Sequence, residues 1–396
     1  AVNLVMPFVM ILGGMGFMIG TGGTALVSKL LGEGKQDEAH RTFSMLVLFT
    51  LLLGAVLSAV GILTMPAVSR LLGASDAMMP DCVLYGRIVT GFTFAFMLQN
   101  VFQSFFIAAE KPRLGLFVTV AAGITNMVLD ALFIAVFDWG VAGAAIATSL
   151  SQLICAGLVV WTLARIPGAC RLQLSELRFD RALLGRITAI GLPAGLASIM
   201  YSAANVIIQK AINLLGTDAA AAWSIFWKLD GIYWPVSNAI GITVMTFTGQ
   251  NYGARQPERI RKIIRTGLGM HLGFSALFSA LLFLTRGLTV RFFTDDTNVM
   301  AEGSRIITML AFFYPTFCCV EVLSSAMRGC GRSVMPTVLT LFGTCLLRLA
   351  LLFFVTFPHL NNWTIALCYP ATWLTTSVLF VIYYKCFRWM PEIKQA

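Results

Sequence analysis

Charge is scarce in this chain. Of its 396 residues only 12% are Asp, Glu, Lys or Arg, against roughly 25% in an ordinary soluble domain. Hydrophobic residues make up 58%, and the mean hydropathy is +0.82. A soluble protein could not hide that much apolar surface, because single cores stop growing at roughly 250–300 residues. Soluble enzymes, nucleic-acid binders and disordered regulators are excluded at this step. Histidine is rarer still, and His40, His271 and His359 are scattered. The nine cysteines show no Cys-x-x-Cys spacing, and most lie in apolar runs, where cysteine acts as a small hydrophobe. Neither a disulfide nor a structural metal is expected. Gly32-Glu-Gly-Lys35 lacks the full phosphate-loop pattern, and no HExxH or GxSxG occurs. An enzyme and an organic cofactor are therefore not expected, and any work done must draw on an ion gradient or a separate subunit.

Long apolar runs are abundant. A spanning helix needs about 20 mostly apolar residues, and breaks at charged or Gly/Pro-rich stretches give eleven candidates. They cover 1–28, 43–69, 82–109, 114–137, 142–164, 183–215, 219–249, 263–290, 298–327, 334–357 and 363–387. Alternate loops hold 20 of the 28 basic residues, among them Lys35, Lys111, Arg171, Arg178, Lys262, Arg332 and Lys394, whereas the opposite loops hold Arg70, Arg286 and Arg291. By the positive-inside rule the basic loops and the C-terminus are cytoplasmic and the N-terminus is outside. This is a multi-pass plasma-membrane protein of all-α class.

The chain also resembles itself. At an offset of 221, Gly20 meets Gly241, Gly32 meets Gly253, and Ala55, Ser58, Ala59, Leu63, Thr64 and Arg70 meet Ala276, Ser279, Ala280, Leu284, Thr285 and Arg291. An even number of helices separates the copies, so the repeat is parallel, as in several secondary transporters. The expected architecture is two helical lobes, 1–165 and 183–396, joined by a cytoplasmic linker at 166–182. The second lobe starts with a helix at 183–215 whose counterpart would precede Ala1. Six plus six helices are expected with eleven present, and the Gly-rich face of the first helix (Gly13, Gly14, Gly16, Gly20, Gly22, Gly23) should then be exposed to lipid.

Several motifs carry a family resemblance. Gly20-Thr-Gly-Gly-Thr-Ala-Leu-Val-Ser-Lys-Leu-Leu-Gly-Glu-Gly-Lys35, Ala109-Glu-Lys-Pro-Arg-Leu-Gly-Leu116, Asn126-Met-Val-Leu-Asp130 and Val141-Ala-Gly-Ala-Ala-Ile-Ala-Thr148 stand in the first half. Gly191-Leu-Pro-Ala-Gly195, Thr248-Gly-Gln-Asn-Tyr-Gly-Ala254 and Arg328-Gly-Cys-Gly331 stand in the second. In this order and spacing they resemble the MATE (multidrug and toxic compound extrusion) transporters, particularly the DinF-like type. The resemblance implies two six-helix lobes around a central cavity and export of amphiphilic, often cationic compounds in exchange for Na⁺ or H⁺. A lipid-linked precursor flippase of the same superfamily is the alternative. The expected partners are small-molecule drugs and membrane lipids, without nucleic acid, and the protein is expected to be a monomer.

Each charge inside a span is a functional candidate, because burying it is costly. Asp130 lies about 10 Å below the outer end of its helix at 1.5 Å per residue, with Asn126 one turn away on the same face. Thr148 reaches a similar depth, and Tyr85 lies near the outer end of its own helix. The resemblance assigns these four to a first-lobe cation site, the only place where Na⁺ is expected, which in the family also uses an aspartate on the first helix. A hydrogen-bonded structural Asn126–Asp130 pair is the alternative. In the second lobe Lys228, Asp230 and Arg348 lie at comparable depth, with Trp227 and Trp234 beside them and Glu321 deeper toward the cytoplasm. These six are candidates for a substrate cavity. Asp230 could equally be neutralised by Lys228 or Arg348, and His271 could relay a proton or be a satisfied core histidine.

Overall fold

The computed structural model describes residues 2–103, 105–109, 111–165 and 180–390, all helix and short connections with no strand among them. The linker assigned to 166–182 falls mostly on 166–179. That stretch, with Cys170, Arg171 and Arg178, lies outside the described residues, as do Ala1, Glu110 and Lys394. The first part of the chain forms α1 (Val2–Gly32), α2 (Gln36–Leu71), α3 (Met79–Gly91), α4 (Thr93–Gln103), α5 (Phe105–Ala108), α6 (Pro112–Asp130) and α7 (Gly140–Arg165). Then come α8 (Arg181–Leu214), α9 (Thr217–Gly253), α10 (Pro257–Phe293), α11 (Thr297–Ala311), α12 (Cys318–Gly329), α13 (Val334–Thr340), α14 (Leu347–Leu351) and α15 (Asn362–Cys386). Helix starts carry recognisable signals. Pro112 and Pro257 occupy first turns, where a missing N–H costs nothing. Asp296 caps α11, and Asn361 with Thr364 forms a capping box on α15.

Among the described residues eight helices are long and apolar enough to cross a membrane, or ten when two pairs bent by more than 40° each count as one span, Met79–Gly91 with Thr93–Ala108 and Thr297–Ala311 with Tyr314–Gly329. The remaining sequence span, 219–249, is a continuous 37-residue helix. It carries Lys228, Asp230 and Asn238 near its middle. Large apolar side chains such as Leu63, Leu284, Leu288 and Phe354 stay more than 70% exposed, as lipid-facing residues do.

Sequence reading gave unbroken spans at 114–137 and 334–357, and the backbone departs from that. α6 passes at Asp130 into a π-helical turn, Ala131–Val136, and α14 is flanked by two, Leu341–Leu346 and Leu352–Thr356. The 221-residue repeat is visible in the element boundaries. α2 shifted by 221 covers 257–292, against Pro257–Phe293 for α10, and Ala131–Val136 shifted likewise falls on 352–357, against the π turn Leu352–Thr356.

Contacts group the chain into two compact units, Ala1–Gly195 and Leu196–Ala396. In the first, Phe43, Phe102 and Phe105 stack edge to face at the centre of the core. In the second, Trp223, Tyr233, Tyr314 and Trp373 are fully buried. The Gly-rich face of α1 is not left to lipid. Gly13, Gly16 and Gly20 lie against Phe96, Met97 and Val101 of α4, Gly23 against Leu46 of α2, and Gly22 against the backbone of Ile187 and Gly191 on α8. Only Gly14 of the six meets open space. Small residues at these positions let backbones approach closely, which is the main source of helix association in membranes.

Candidate cation and substrate sites

The first-unit candidates sit on α3, α6 and α7. Asp130 is the last residue of α6, at the junction with the π turn, a feature that often marks functional positions. Its side chain is half-buried, and no hydrogen bond reaches it among the described residues. Asn126, one turn earlier, has its Nδ2 buried and unpartnered. The hydrogen-bonded Asn126–Asp130 pair is therefore not formed. Tyr85 is buried in α3, close enough to feel the charge of Asp130, and its hydroxyl points at Met6 Sδ, 3.9 Å away. Thr148 lies on α7, which packs against both α3 and α6, and its carbonyl accepts from the Ser151 hydroxyl at 2.8 Å. Beside it, Ser149 Oγ and Gln152 Oε1 are also buried without partners. The first unit thus holds one carboxylate without a hydrogen bond on α6 and buried, unpartnered neutral groups on α6 and on the α7 that packs against it. Among the described residues no cluster of three or more His, Cys, Asp or Glu side chains is positioned to hold a metal ion.

The second unit divides its six candidates. Asp230 accepts from the Tyr314 hydroxyl at 2.7 Å and from Trp234 Nε1 at 2.7 Å. Arg348 is fully buried, donating to Asn205 Oδ1 and Thr372 Oγ1, each at 3.2 Å. Its guanidinium lies 4.9 Å from the ring centre of Tyr201 and 4.8 Å from that of Tyr369. The expected ion pair at Asp230 is absent: neither Lys228 nor Arg348 comes within ion-pair distance. Short neutral donors satisfy the carboxylate, and aromatic faces stabilise the guanidinium by cation–π attraction. Lys228 turns away, its ammonium 5.2 Å from the Phe293 ring centre. Trp227 stands by Trp223, which stacks on Tyr369, and Trp234 meets Phe317 and Trp373. Glu321 is apart from this cluster, pressed against Gly241 of α9 and within electrostatic reach of Arg328.

Tyr314, the donor to Asp230, lies 84 residues away in the chain and was not among the sequence candidates. Of the two readings offered for His271, the structure favours the satisfied core histidine. Both ring nitrogens of this buried side chain face hydroxyls, Ser237 at 2.8 Å and Ser275 at 3.2 Å, and Ser275 meets the Tyr233 hydroxyl at 2.9 Å. His271 is thus a satisfied core residue. The four-residue spacing of His271 and Ser275 on one helix was the available signal.

Fold and sites together define a multi-span helical membrane protein with a two-unit repeat and charged groups held inside its spans. The sequence profile of the MatE family matches residues 1–132 and 193–354. The chain belongs to the MatE family, whose members are transporters and not enzymes. It is 22% identical over 403 residues to the "Probable multidrug resistance protein YoeA" of Bacillus subtilis, covering 99% of this chain and 86% of that protein. It is 27% identical over 365 residues to the "FAD transporter" of Shewanella oneidensis, covering 89% and 78%. Among solved structures, the outward-facing conformation of a multidrug resistance MATE family transporter of the MOP superfamily superposes with a TM-score of 0.90 at 19% identity, covering 96% of this chain and 86% of that one.

Proposed function

We propose that this protein exports amphiphilic, cationic small molecules across the plasma membrane in exchange for Na⁺ or H⁺, by alternating access of its two lobes. It acts as a monomer with its basic loops and C-terminus in the cytoplasm. The relatives named for multidrug resistance support the export reading. One observation carries the coupling: the side chain of Asp130, within a membrane span, takes part in no hydrogen bond or ion pair among the described residues, with the unpartnered Asn126 amide one turn earlier on α6 and the Tyr85 phenol within electrostatic reach. An unpaired charge there is costly, and an arriving cation or proton removes that cost. Hard cations take oxygen ligands of this kind. Occupancy of Asp130 would thus favour one conformation over the other, which is the differential affinity that any coupled exchange needs. Substrate would meet the aromatic wall of Trp227, Trp234 and Tyr369 around Asp230, where ring faces and a carboxylate attract cations.

In proteoliposomes with an imposed gradient, Asp130→Asn should abolish dye efflux while leaving yield and melting temperature unchanged. Wild-type efflux by that variant refutes the coupling role. The flippase reading, or export of another phosphate-bearing compound, gains support from Arg348. Its guanidinium is buried with no carboxylate in ion-pair reach, and its Nε has no partner. Efflux of cationic dyes in a pump-deficient host distinguishes the two readings, since a flippase leaves dye resistance unchanged.

A further inference from the structure

The two halves place opposite charges on the same helix pair. At the 221-residue offset, α6 falls on the stretch of α13 and α14, and α7 falls on α15. Asp130 maps to Leu351, and Arg348 stands one turn before it on the same face, where the first half has Met127. Thr148 maps to Tyr369, and Ser151 to Thr372.

The fully buried Arg348 is held by neutral groups of the kinds that ligate cations. The Asn205 amide oxygen and the Thr372 hydroxyl oxygen each accept from it at 3.2 Å, and the rings of Tyr201 and Tyr369 face it at 4.9 and 4.8 Å. Thr372 spends its own hydrogen on the Cys368 carbonyl at 2.7 Å, so its lone pairs are free for the guanidinium. Asp230 acts on Arg348 only at longer range, its oxygens taken by Tyr314 and Trp234. An amide, a hydroxyl and a phenol are also what Asn126, Thr148 and Tyr85 offer on the helices around Asp130. Oxygen lone pairs and ring faces both attract cations.

We propose that this cage is a cation seat of the second unit, filled permanently by the tethered guanidinium of Arg348. Emptied of that side chain, it takes a small organic monocation of the guanidinium class. The second lobe thus carries its cation built in, and a single exchangeable cation, at Asp130, moves in each transport cycle. The count rests on the coupling role proposed for Asp130; the seat rests on the second-unit geometry alone.

The test empties the seat in the full chain and refills it. Arg348→Ala deletes the ethylguanidinium portion of the side chain and should lower the melting temperature in detergent. Ethylguanidinium at about 10 mM, on a site of about 1 mM affinity, should restore about 3–6 °C, and saturably. Its neutral mimic ethylurea should restore nothing, and neither compound should raise the melt of the parent protein. Equal rescue by ethylurea overturns the proposal, because volume alone is then refilled, and so does the absence of rescue by ethylguanidinium. The parent protein gives a second refutation that needs no variant. Ethyl phosphate should leave its melt unchanged, and a saturable rise makes Arg348 an anion site instead. In proteoliposomes, exchange of a monovalent dye for one cation moves no net charge. The steady-state dye gradient should therefore ignore a potassium–valinomycin potential, and a gradient that follows the potential overturns the single-cation count. Normal efflux by Asp130→Asn removes that count together with the coupling role, while rescue at Arg348 still decides the seat.

Discussion

Removing the hydroxyl of Tyr314 isolates what holds Asp230. Tyr314→Phe keeps the ring and its packing on Tyr233, 4.5 Å between centroids, and deletes one of two 2.7 Å hydrogen bonds to the carboxylate. A hydrogen bond to a charged group contributes about 1.5–3 kcal/mol. The second unit spans Leu196–Ala396, and for domains of this size each kcal/mol moves the melting temperature by about 2–4 °C. Tyr314→Phe should therefore lower melting in detergent by about 3–12 °C. Combined with Asp230→Asn, it should show a coupling of about 1.5–3 kcal/mol in a double-mutant cycle. Arg348→Met with Asp230→Asn should couple by less than about 1 kcal/mol, because no ion pair joins them. Nanodisc or detergent melts of the three single and two double variants, with the parent protein, are sufficient. If the Arg348 cycle gives the 3–5 kcal/mol loss expected on breaking a buried pair, and the Tyr314 cycle gives nothing, the assignment of partners is wrong.

Other outcomes follow from the packing. Gly22→Leu should cost about 1–3 kcal/mol by overpacking the α1–α8 crossing, while Gly14→Leu, facing open space, should leave the thermal melt unchanged. Ser275→Ala removes a partner from both the Tyr233 hydroxyl and His271 Nδ1 and should cost about 1–3 kcal/mol, read by the same melt. A membrane-impermeant maleimide should modify the exposed Cys386 in inverted vesicles and not in intact cells, as mapped by peptide mass; the opposite pattern inverts the topology.

Much of the architecture was legible because membrane helices advertise themselves by length and composition, and because the two halves share one offset. Three kinds of feature were not. The π turns at 131–136, 341–346 and 352–356 differ from α-helix only in hydrogen-bond register, which no residue type announces. The partners of Asp230 come from Trp234, one turn away, and Tyr314, far along the chain. Charge alone suggested Lys228 or Arg348, but neutral donors at short range had already satisfied the carboxylate. The Gly-rich face of α1 was read as bare because a helix was missing from the count. Its neighbours are α2, α4 and the first half of α8, and only tertiary packing reveals that.

The π turns also mark where the two halves agree and where they part. A wide turn interrupts the regular α-helical hydrogen-bond ladder, and such turns often stand at functional sites. The turn at Ala131–Val136 recurs 221 residues later at Leu352–Thr356, in the same element of each half. That wide turn is therefore common to the two halves. The turn at Leu341–Leu346 has no counterpart in α6, and Arg348, which follows it, corresponds to Met127. The buried cation and the wide turn in front of it therefore belong to the second half and are not imposed by the repeat.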